Sequence, residues 1–324
     1  MELGALVIAA NGETNAALPG LGLWTPSLPV FGKTVLNRWV ERVEGLGIGL
    51  VSVDHDGREP NGIGTVMKWA QEGVERILLI VLGSYAEVDL SDVIRFHHEG
   101  HNQVTKVFDQ EGPLGISLLD RDPILKNNGQ VFPDRQSMAS RYDFRGYVNR
   151  LSSTVSYRKL VEDALQGRCG IQPAGLQIGE NIWIHETAEI GGSVQIQGPC
   201  YIGPGTHIKA GVAIKECSSI EHNCEIDVGT TLDRATVLPC TYVAAGLHIH
   251  ASVIDGTRLE DLTRGITVDL GPAGLASRVR GPAEPFLGSS VLHPNPSSSR
   301  TEDRSPRSSS QQTNLKATEA MDLQ

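Results

Sequence analysis

Aliphatic residues recur at a fixed interval of six through the second half of the chain. An interval of six matches neither the 3.6-residue period of an α-helix nor the two-residue alternation of a single strand. It indicates a coil of short strands and turns that returns to the same place at a regular distance along the chain. The positions of the series are Ile178, Ile184, Ile190, Ile196, Ile202, Ile208, Ile214, Ile220, Ile226, Leu232 and Leu238.

This repeat resembles that of the hexapeptide-repeat proteins, which fold as left-handed parallel β-helices. The resemblance covers about residues 176–254. It implies three hexads in each triangular coil, with each coil stabilised mainly by its neighbours. We therefore expect one interior column of stacked side chains, formed by Ile178, Ile196, Ile214 and Leu232.

Two features at the rim of the predicted β-helix concern its contacts. Residues 258–270 are expected to lie across the open end as a cap, because an exposed coil edge otherwise invites pairing with another chain. Trp183 and Tyr201 are expected to point outwards on neighbouring coils of one face. Exposed aromatic rings on a flat face suit a contact with another protomer.

The first half of the chain alternates between apolar runs and amphipathic stretches. This order predicts an α/β domain with a mostly parallel sheet. The helix at residues 89–99 is expected to begin at a cap formed by Asp89 or Ser91. The predicted strands are residues 5–10, 50–53 and 77–82, and the predicted helices are residues 35–46, 65–73, 89–99 and 155–166.

Three segments are expected in all. They are an α/β domain (residues 1–168), an all-β left-handed β-helix with its cap (residues 169–275, hexads 178–242) and a tail (residues 281–324). The tail consists mostly of Pro, Ser, Arg and Gln with few large apolar residues, so it is predicted to be disordered.

Composition narrows the choice of partners and location. With 28 basic against 38 acidic residues the net charge is −10, so the chain has no electrostatic footprint for nucleic acid or an anionic membrane. Its apolar runs are far shorter than the roughly 20 residues that span a bilayer. Five cysteines without a Cys-x-x-Cys pair argue against a disulfide framework. Since no basic leader precedes the first apolar run, we expect a cytoplasmic protein.

Three stretches of the first half match the segments of one enzyme family in the same order along the chain. They are residues 6–15 (LVIAANGETN), 24–36 (WTPSLPVFGKTVL) and 144–157 (FRGYVNRLSSTVSY). They resemble, in turn, the nucleotide-binding turn, the Pro-Val-x-Gly-Lys segment and the Gly-Tyr-Trp-x-Asp segment of the sugar nucleotidyltransferases. These enzymes, also called NDP-sugar pyrophosphorylases, include mannose-1-phosphate guanylyltransferases. They join a sugar 1-phosphate to a nucleoside triphosphate with the help of Mg²⁺. The resemblance implies nucleotide contacts at Ala9, Ala10, Gly12 and Thr14.

The chain departs from this family at the positions that carry charge. Glu13 replaces a glycine of the nucleotide turn, and Thr25 and Asn15 replace a lysine and an arginine. Ser84 and Arg150 stand where the family has its two metal-binding aspartates. Magnesium prefers carboxylate oxygens, and an arginine opposes a divalent cation. We therefore expect a protein without catalytic residues or a metal site, with Mg²⁺ relevant only if activity persists.

The role that fits these losses is that of a binding, regulatory or scaffold subunit. It would join copies of itself or an active relative through the β-helix, and its ligand would be a nucleotide or nucleotide sugar. One alternative is a working nucleotidyltransferase that holds its metal with Asp54, Asp56 or Asp89. A second is a β-helix acyltransferase, and a third is a purely structural assembly module. The acyltransferase would take its general base from the histidines of the repeat region: His185, His207, His222, His248 and His250.

One further histidine pair lies in the α/β domain. His97 and His101 are four residues apart, a spacing that can bind a metal on a helix. Gly100 is expected to end the helix between them. We therefore predict an exposed helix end rather than a metal site.

Overall fold

The computed structural model describes residues 3–9, 25–54, 62–126 and 139–279. These residues all belong to one compact unit, residues 1–293. The predicted disordered tail, residues 281–324, lies outside the described residues.

The α/β part contains ten strands and five helices among its described residues. Helix α3 begins at Asp89, whose carboxylate accepts the N–H groups of Ser91 and Asp92, so the predicted cap is confirmed. The elements are β1 (Leu3–Ile8), β2 (Pro29–Val30), β3 (Lys33–Thr34), α1 (Val35–Glu44), β4 (Leu50–Asp54), α2 (Ile63–Glu72), β5 (Arg76–Val81), β6 (Tyr85–Ala86), α3 (Leu90–Glu99), β7 (Val104–Phe108), β8 (Pro113–Asp120), α4 (Arg121–Lys126), β9 (Ser140–Asp143), β10 (Val148–Asn149) and α5 (Thr154–Leu165).

Six of these strands form one sheet in the order β4-β1-β5-β8-β7-β9. Strands β4, β1 and β5 are parallel, but β8 is antiparallel to both β5 and β7. Strand β9 is parallel to β7, so β8 alone runs against the other five strands and the sheet is mostly parallel, as predicted. Strand β8 is the exception because residues 109–112 form a tight turn between β7 and β8, and a connection this short joins only antiparallel neighbours.

Strand β1 lies at the centre of the core and is buried on both of its faces. Ala5 and Val7 belong to the apolar cluster that contains Trp39 of α1, whereas Leu6 belongs to the cluster that contains Trp69 of α2. A strand covered by helices on both sides is apolar throughout rather than alternating. This explains the continuous apolar run at the start of the chain.

The second half is a coil of short parallel strands, and we call residues 182–254 the β-coil. Each strand of the β-coil pairs in parallel with the strand three places further along the chain. This gives the orders β12-β15-β18-β21-β24, β13-β16-β19-β22 and β14-β17-β20-β23. The strands are β11 (Leu176–Gly179), β12 (Ile182–Ile184), β13 (Glu189–Ile190), β14 (Gln195–Ile196), β15 (Cys200–Ile202), β16 (His207–Ile208), β17 (Ala213–Ile214), β18 (Ser218–Ile220), β19 (Glu225–Ile226), β20 (Thr231–Asp233), β21 (Thr236–Val237), β22 (Thr241–Val243), β23 (His248–His250), β24 (Ser252–Asp255), β25 (Arg258–Asp261), β26 (Ile266–Asp269) and β27 (Ala276–Arg278).

The predicted interior column is confirmed for three of its four members. Ile196 pairs with Ile214, which pairs with Leu232, and Ile249 continues the column. Ile178 is not a member and is 62% exposed. It lies on β11, which runs antiparallel to β12, because the chain reverses at Asn181 with a φ of 55° before the coil begins.

Leu238, the last position of the six-residue series, is not an interior residue either, so the series is wrong at this end too. Val237 takes the interior place, since it pairs with Ile220 and with Ile254. The step from Ile220 to Val237 is 17 residues instead of 18, so one turn of this coil is a residue shorter. Leu238 is buried on the outer side, against the α/β part.

The residues of the predicted cap form two strands that pair at the edge of the last coil. Strand β25 pairs antiparallel with β24, and β26 extends this sheet further. Strand β27 pairs antiparallel with β22 and so covers a second edge. Antiparallel partners satisfy the backbone groups that the last coil would otherwise leave open. None of the helices in the described ranges is long and apolar enough to cross a membrane.

Candidate functional site

Ser84 and Arg150, the two residues predicted to stand at metal positions, flank one end of a two-stranded ribbon. Strands β6 and β10 pair antiparallel, with Tyr85 opposite Asn149. Ser84 precedes this pair and Arg150 follows it, so both lie at the same end of the two-stranded ribbon. Ser84 is buried, and its backbone oxygen accepts a hydrogen bond of 3.4 Å from the indole N–H of Trp39. The structure thus brings together two positions that are 66 residues apart in sequence.

Arg150 is held in place by the turn between β7 and β8. Its Nη2 donates to the Asp109 carboxylate and to the backbone oxygen of Gly112 at 3.3 Å. Its Nη1 donates to the backbone oxygen of Pro113 at 3.1 Å, and its Nε lies 3.5 Å from the carboxylate of Glu111. The guanidinium is therefore a fixed positive charge, and the acidic groups next to it are already neutralised by it.

A cleft of about 280 Å³ opens beside Arg150. Its wall carries two carboxylates, of Asp109 and Glu111, and two guanidinium groups, of Arg145 and Arg150. These four formal charges balance, so together they give the cleft no net charge. The remaining lining residues are Gln110, Phe144, Gly146 and Val148.

Only one of the four predicted nucleotide-binding residues lies in the described part of the chain. Ala9 follows β1 and is buried, and its N–H donates to the backbone oxygen of Asp54 at 2.8 Å. It therefore lies at the carboxyl ends of the parallel strands β1 and β4, where ligands bind in sheets of this kind. Ala10, Gly12 and Thr14 lie outside the described residues, as does Glu13.

The carboxylates suggested as alternative metal ligands do not come together in the described ranges. Asp89 uses its carboxylate to cap α3, with the N–H of Ser91 at 2.9 Å. Asp54 ends β4, and Asp56 lies outside the described residues. The described residues contain no group of three or more His, Cys, Asp or Glu side chains that could hold a metal ion.

The histidines of the β-coil point to different surfaces. His207 lies on β16 beside Glu189, at 3.0 Å, whereas His250 lies on β23 beside Asp233, at 3.3 Å. These two strands belong to different sheets of the coil. His185 bonds locally to Thr187 at 2.9 Å. The structure therefore does not bring these side chains to one site.

His97 is a buried core residue, so the prediction of an exposed helix end is wrong for it. Its Nδ1 lies 2.8 Å from the hydroxyl of Thr105, and its Nε2 lies 3.2 Å from the carboxylate of Asp120. Burial lowers the pKa of His97, although the bond to Asp120 opposes this shift. Gly100 does end the helix, and His101 follows it with a φ of 49°.

Tyr201 points out of the β-coil as predicted, but it is buried rather than exposed. Its ring packs against Phe31 of the α/β part, with 4.9 Å between ring centroids. Trp183, in register with Tyr201 on the neighbouring strand, packs partly against the same cluster. The expectation of an exposed aromatic surface is thus wrong, because the chain's own α/β part covers this face of the coil.

The contact between the two parts centres on Glu221, which the sequence pattern did not single out. Its Oε1 accepts the N–H of Phe31 and its Oε2 accepts the N–H of Gly32, both at 2.8 Å. These two residues form the turn between β2 and β3, with φ values of 55° and 78° that direct both N–H groups to one side. Glu221 is fully buried, and burial raises its pKa to about 7, although both backbone bonds and Arg38 lower it.

No protein-family model matches this chain, and no curated protein matches it.

Proposed function

We propose that this chain is a cytoplasmic sugar-nucleotidyltransferase-like protein that has lost turnover and acts as a binding, regulatory or scaffold subunit. In this proposal its fold is a truncated nucleotidyltransferase-like α/β domain followed by a left-handed β-helix. The observation that carries the proposal is the pair Ser84 and Arg150, which share one corner of the structure. A magnesium ion needs carboxylate oxygens at such a corner. Here it would meet the fixed guanidinium of Arg150, which already pairs with the carboxylates of Asp109 and Glu111.

The test is release of pyrophosphate with Mg²⁺ and a panel of nucleoside triphosphates and sugar 1-phosphates. We expect no turnover above background for any pair. Robust Mg²⁺-dependent release would overturn the proposal and favour the enzyme with rearranged ligands. In that event Asp54→Asn should abolish the activity, whereas Asp143→Asn, an exposed carboxylate on β9, should not.

Binding without turnover is the positive half of the proposal. The cleft beside Arg150 can accept a polar ligand that carries both donors and acceptors, as a nucleotide or nucleotide sugar does. Calorimetric titration with these ligands is expected to give heat of binding, and Arg145→Ala, at the exposed rim of the cleft, is expected to weaken it. Absence of binding at millimolar concentration would favour the structural assembly module instead.

Assembly through the β-coil is supported by the apolar side chains that stand in solvent at its beginning. Leu176 and Ile178 are each 62% exposed, and Ile190 is 38% exposed. Contiguous exposed apolar residues of this kind mark contact surfaces. We propose that this end joins a second copy of the chain.

Light scattering of the purified protein tests the assembly. We expect a particle heavier than one chain, and Ile178→Glu is expected to reduce it to a monomer. Val155→Glu is the matched control, because Val155 is 58% exposed on α5, away from the coil end. A monomeric particle that becomes heavier only in extract of its own cells would point to an active relative as the partner instead.

A further inference from the structure

The charges that line the cleft beside Arg150 come from two segments of opposite sign. The turn between β7 and β8 contributes Asp109 and Glu111, and we call residues 109–112 the acidic turn. The stretch that follows β9 contributes Arg145 and Arg150, and we call residues 144–150 the basic segment. The cleft is therefore neutral as a whole but keeps its negative and positive groups on separate pieces of chain.

The cleft opens at the edge of the sheet where the parallel strands end. Asp109 follows β7 and Phe144 follows β9, and these two strands are parallel. Strand β8 is antiparallel to both β7 and β5, so β7 runs in the same direction as β5 and β1. The cleft thus lies at the same edge as Ala9. In open α/β sheets this edge is where ligands bind.

Two of the four charged groups are engaged with each other. The carboxylate of Asp109 accepts the N–H groups of Glu111 and Gly112, each at 2.9 Å, and also the guanidinium of Arg150. Its side chain is only 13% exposed. This pair holds the acidic turn against the basic segment, and its hydrogen bonds are already used within the chain.

The other two charged groups, Glu111 and Arg145, are free. The side chain of Glu111 is 77% exposed, and the 3.5 Å contact from Arg150 Nε to its carboxylate is not a hydrogen bond. Arg145 is exposed and has no hydrogen bond or ion pair in the part of the chain that the structure describes. Although both line one cleft, they do not pair with each other. The cleft therefore presents one unused anion and one unused cation.

These two groups set the charge of a matching ligand. An anion without a positive group would bind Arg145 but would be repelled by Glu111, and a simple cation would meet the reverse. A molecule that carries both charges satisfies both residues. A guanidinium can hold a phosphate through two parallel hydrogen bonds, and an ammonium group has three N–H donors for a carboxylate.

The size of the cleft limits the ligand further. Its volume of about 280 Å³ lies below the roughly 300–1,000 Å³ of sites that enclose a drug-sized molecule. It therefore has room for a small molecule or for one end of a larger one. The ring of Phe144 also lines the cleft and offers an apolar contact to the carbon atoms between the two charged groups.

We propose that the cleft binds a small ligand, or the end of a larger one, in which an ammonium group lies close to a phosphate. Glu111 accepts the ammonium group, and Arg145 binds the phosphate. This rests on the proposed function, in which the cleft is the ligand site. It adds that the group bound there is a phosphorylated amine rather than a phosphate alone.

The experiment is calorimetric titration of the full-length chain with three probes. Phosphoethanolamine carries both charges, propyl phosphate has a methyl group in place of the ammonium group, and ethanolamine lacks the phosphate. We expect phosphoethanolamine to bind at least about tenfold more tightly than either of the others. Equal affinity for phosphoethanolamine and propyl phosphate would overturn the proposal, and so would no binding of phosphoethanolamine at millimolar concentration.

Two variants assign the charges to their residues. Glu111→Gln keeps the size of the side chain and removes its charge, so phosphoethanolamine and propyl phosphate should then bind alike. Arg145→Gln should weaken both by at least about tenfold. Glu186→Gln is the control, because Glu186 is an exposed glutamate of the β-coil outside the cleft, and it should keep the wild-type preference. A preference that survives Glu111→Gln would contradict the assignment.

Titration with nucleotides and nucleotide sugars separates this inference from the proposed function. If these bind but phosphoethanolamine shows no advantage over propyl phosphate, the inference fails and the proposed function stands. Tight binding of phosphoethanolamine without binding of any nucleotide has the opposite meaning. The comparison of the three probes on the wild-type chain decides the matter even if a variant fails to fold.

Discussion

Two isoleucines that the repeat treats as equivalent should respond to truncation in opposite ways. Ile214 is 1% exposed and stacks between Ile196 and Leu232 inside the β-coil. Ile178 occupies the same position in the six-residue series but is 62% exposed on β11. Ile→Ala removes three carbon atoms, worth about 0.8 kcal/mol each when fully buried, or about 2.4 kcal/mol, before the cost of the cavity is added.

Ile214→Ala is therefore expected to lower the free energy of unfolding by about 3–4 kcal/mol, within the 2–5 kcal/mol typical of such changes. For Ile178→Ala only the buried 38% of the side chain counts, so the loss should stay below about 1 kcal/mol. Urea denaturation followed by far-UV circular dichroism measures both. Equal losses would refute the register in which β11 precedes the coil and would restore Ile178 to the interior column.

Three further changes test other parts of the fold by denaturation. His97 is neutral in the folded protein because burial lowers its pKa. Its contribution to the free energy of unfolding is therefore full above about pH 6.5 and is lost as the pH falls below that value. His97→Gln should make the free energy of unfolding depend less on pH between about pH 5 and 8. Tyr157→Phe should cost about 1–3 kcal/mol, because the backbone oxygen of Pro29 is left buried without its 2.6 Å donor. Gly115→Ala should lower the free energy of unfolding by more than about 2 kcal/mol, since φ is +74° and the new Cβ would lie 2.3 Å from a backbone oxygen of β5. Gly167→Ala is the control, because its φ is +69° but the space around it is open, so it should show the backbone strain without the clash.

Local signals in the sequence account well for the helices. The apolar spacing of residues 35–46 predicts α1, and Thr34 caps it by accepting the N–H of Asn37 at 3.1 Å. Helix α3 begins at Asp89 and ends before Gly100 for the same kind of reason. Caps and amphipathic faces depend on residues within one or two turns, so a single sequence contains the information.

The errors in the repeat have a different origin. Val237 and Leu238 are both apolar, so a count of six runs on through Leu238 although a shorter turn has moved Val237 inside. Likewise Ile178 fits the count, but the reversal at Asn181 places it before the coil. A periodic pattern gives the interval between interior positions and not the phase at its ends, which the turns decide.

The contact between the α/β part and the β-coil could not be derived from any local pattern. Glu221 meets Phe31 and Gly32 across about 190 residues of chain, and its hexad looks like the others because Ile220 still points inwards. The repeat specifies the inside of the coil and leaves open which outer face is covered. The buried partners of Tyr201 follow only from the packing of the α/β part against that face.

The role of the Phe31–Gly32 turn bears on the proposed function. It lies in the segment that resembles the Pro-Val-x-Gly-Lys stretch of the nucleotidyltransferases, yet its two N–H groups are spent on the carboxylate of Glu221. A backbone donor that already binds one carboxylate oxygen cannot bind an oxygen of a ligand at the same time. Any phosphate or carboxylate that used this turn would first have to displace Glu221. Lys33, the next residue, is likewise engaged, with the Glu41 carboxylate 2.8 Å from its Nζ. In this structure the segment therefore serves the contact with the β-coil rather than a substrate.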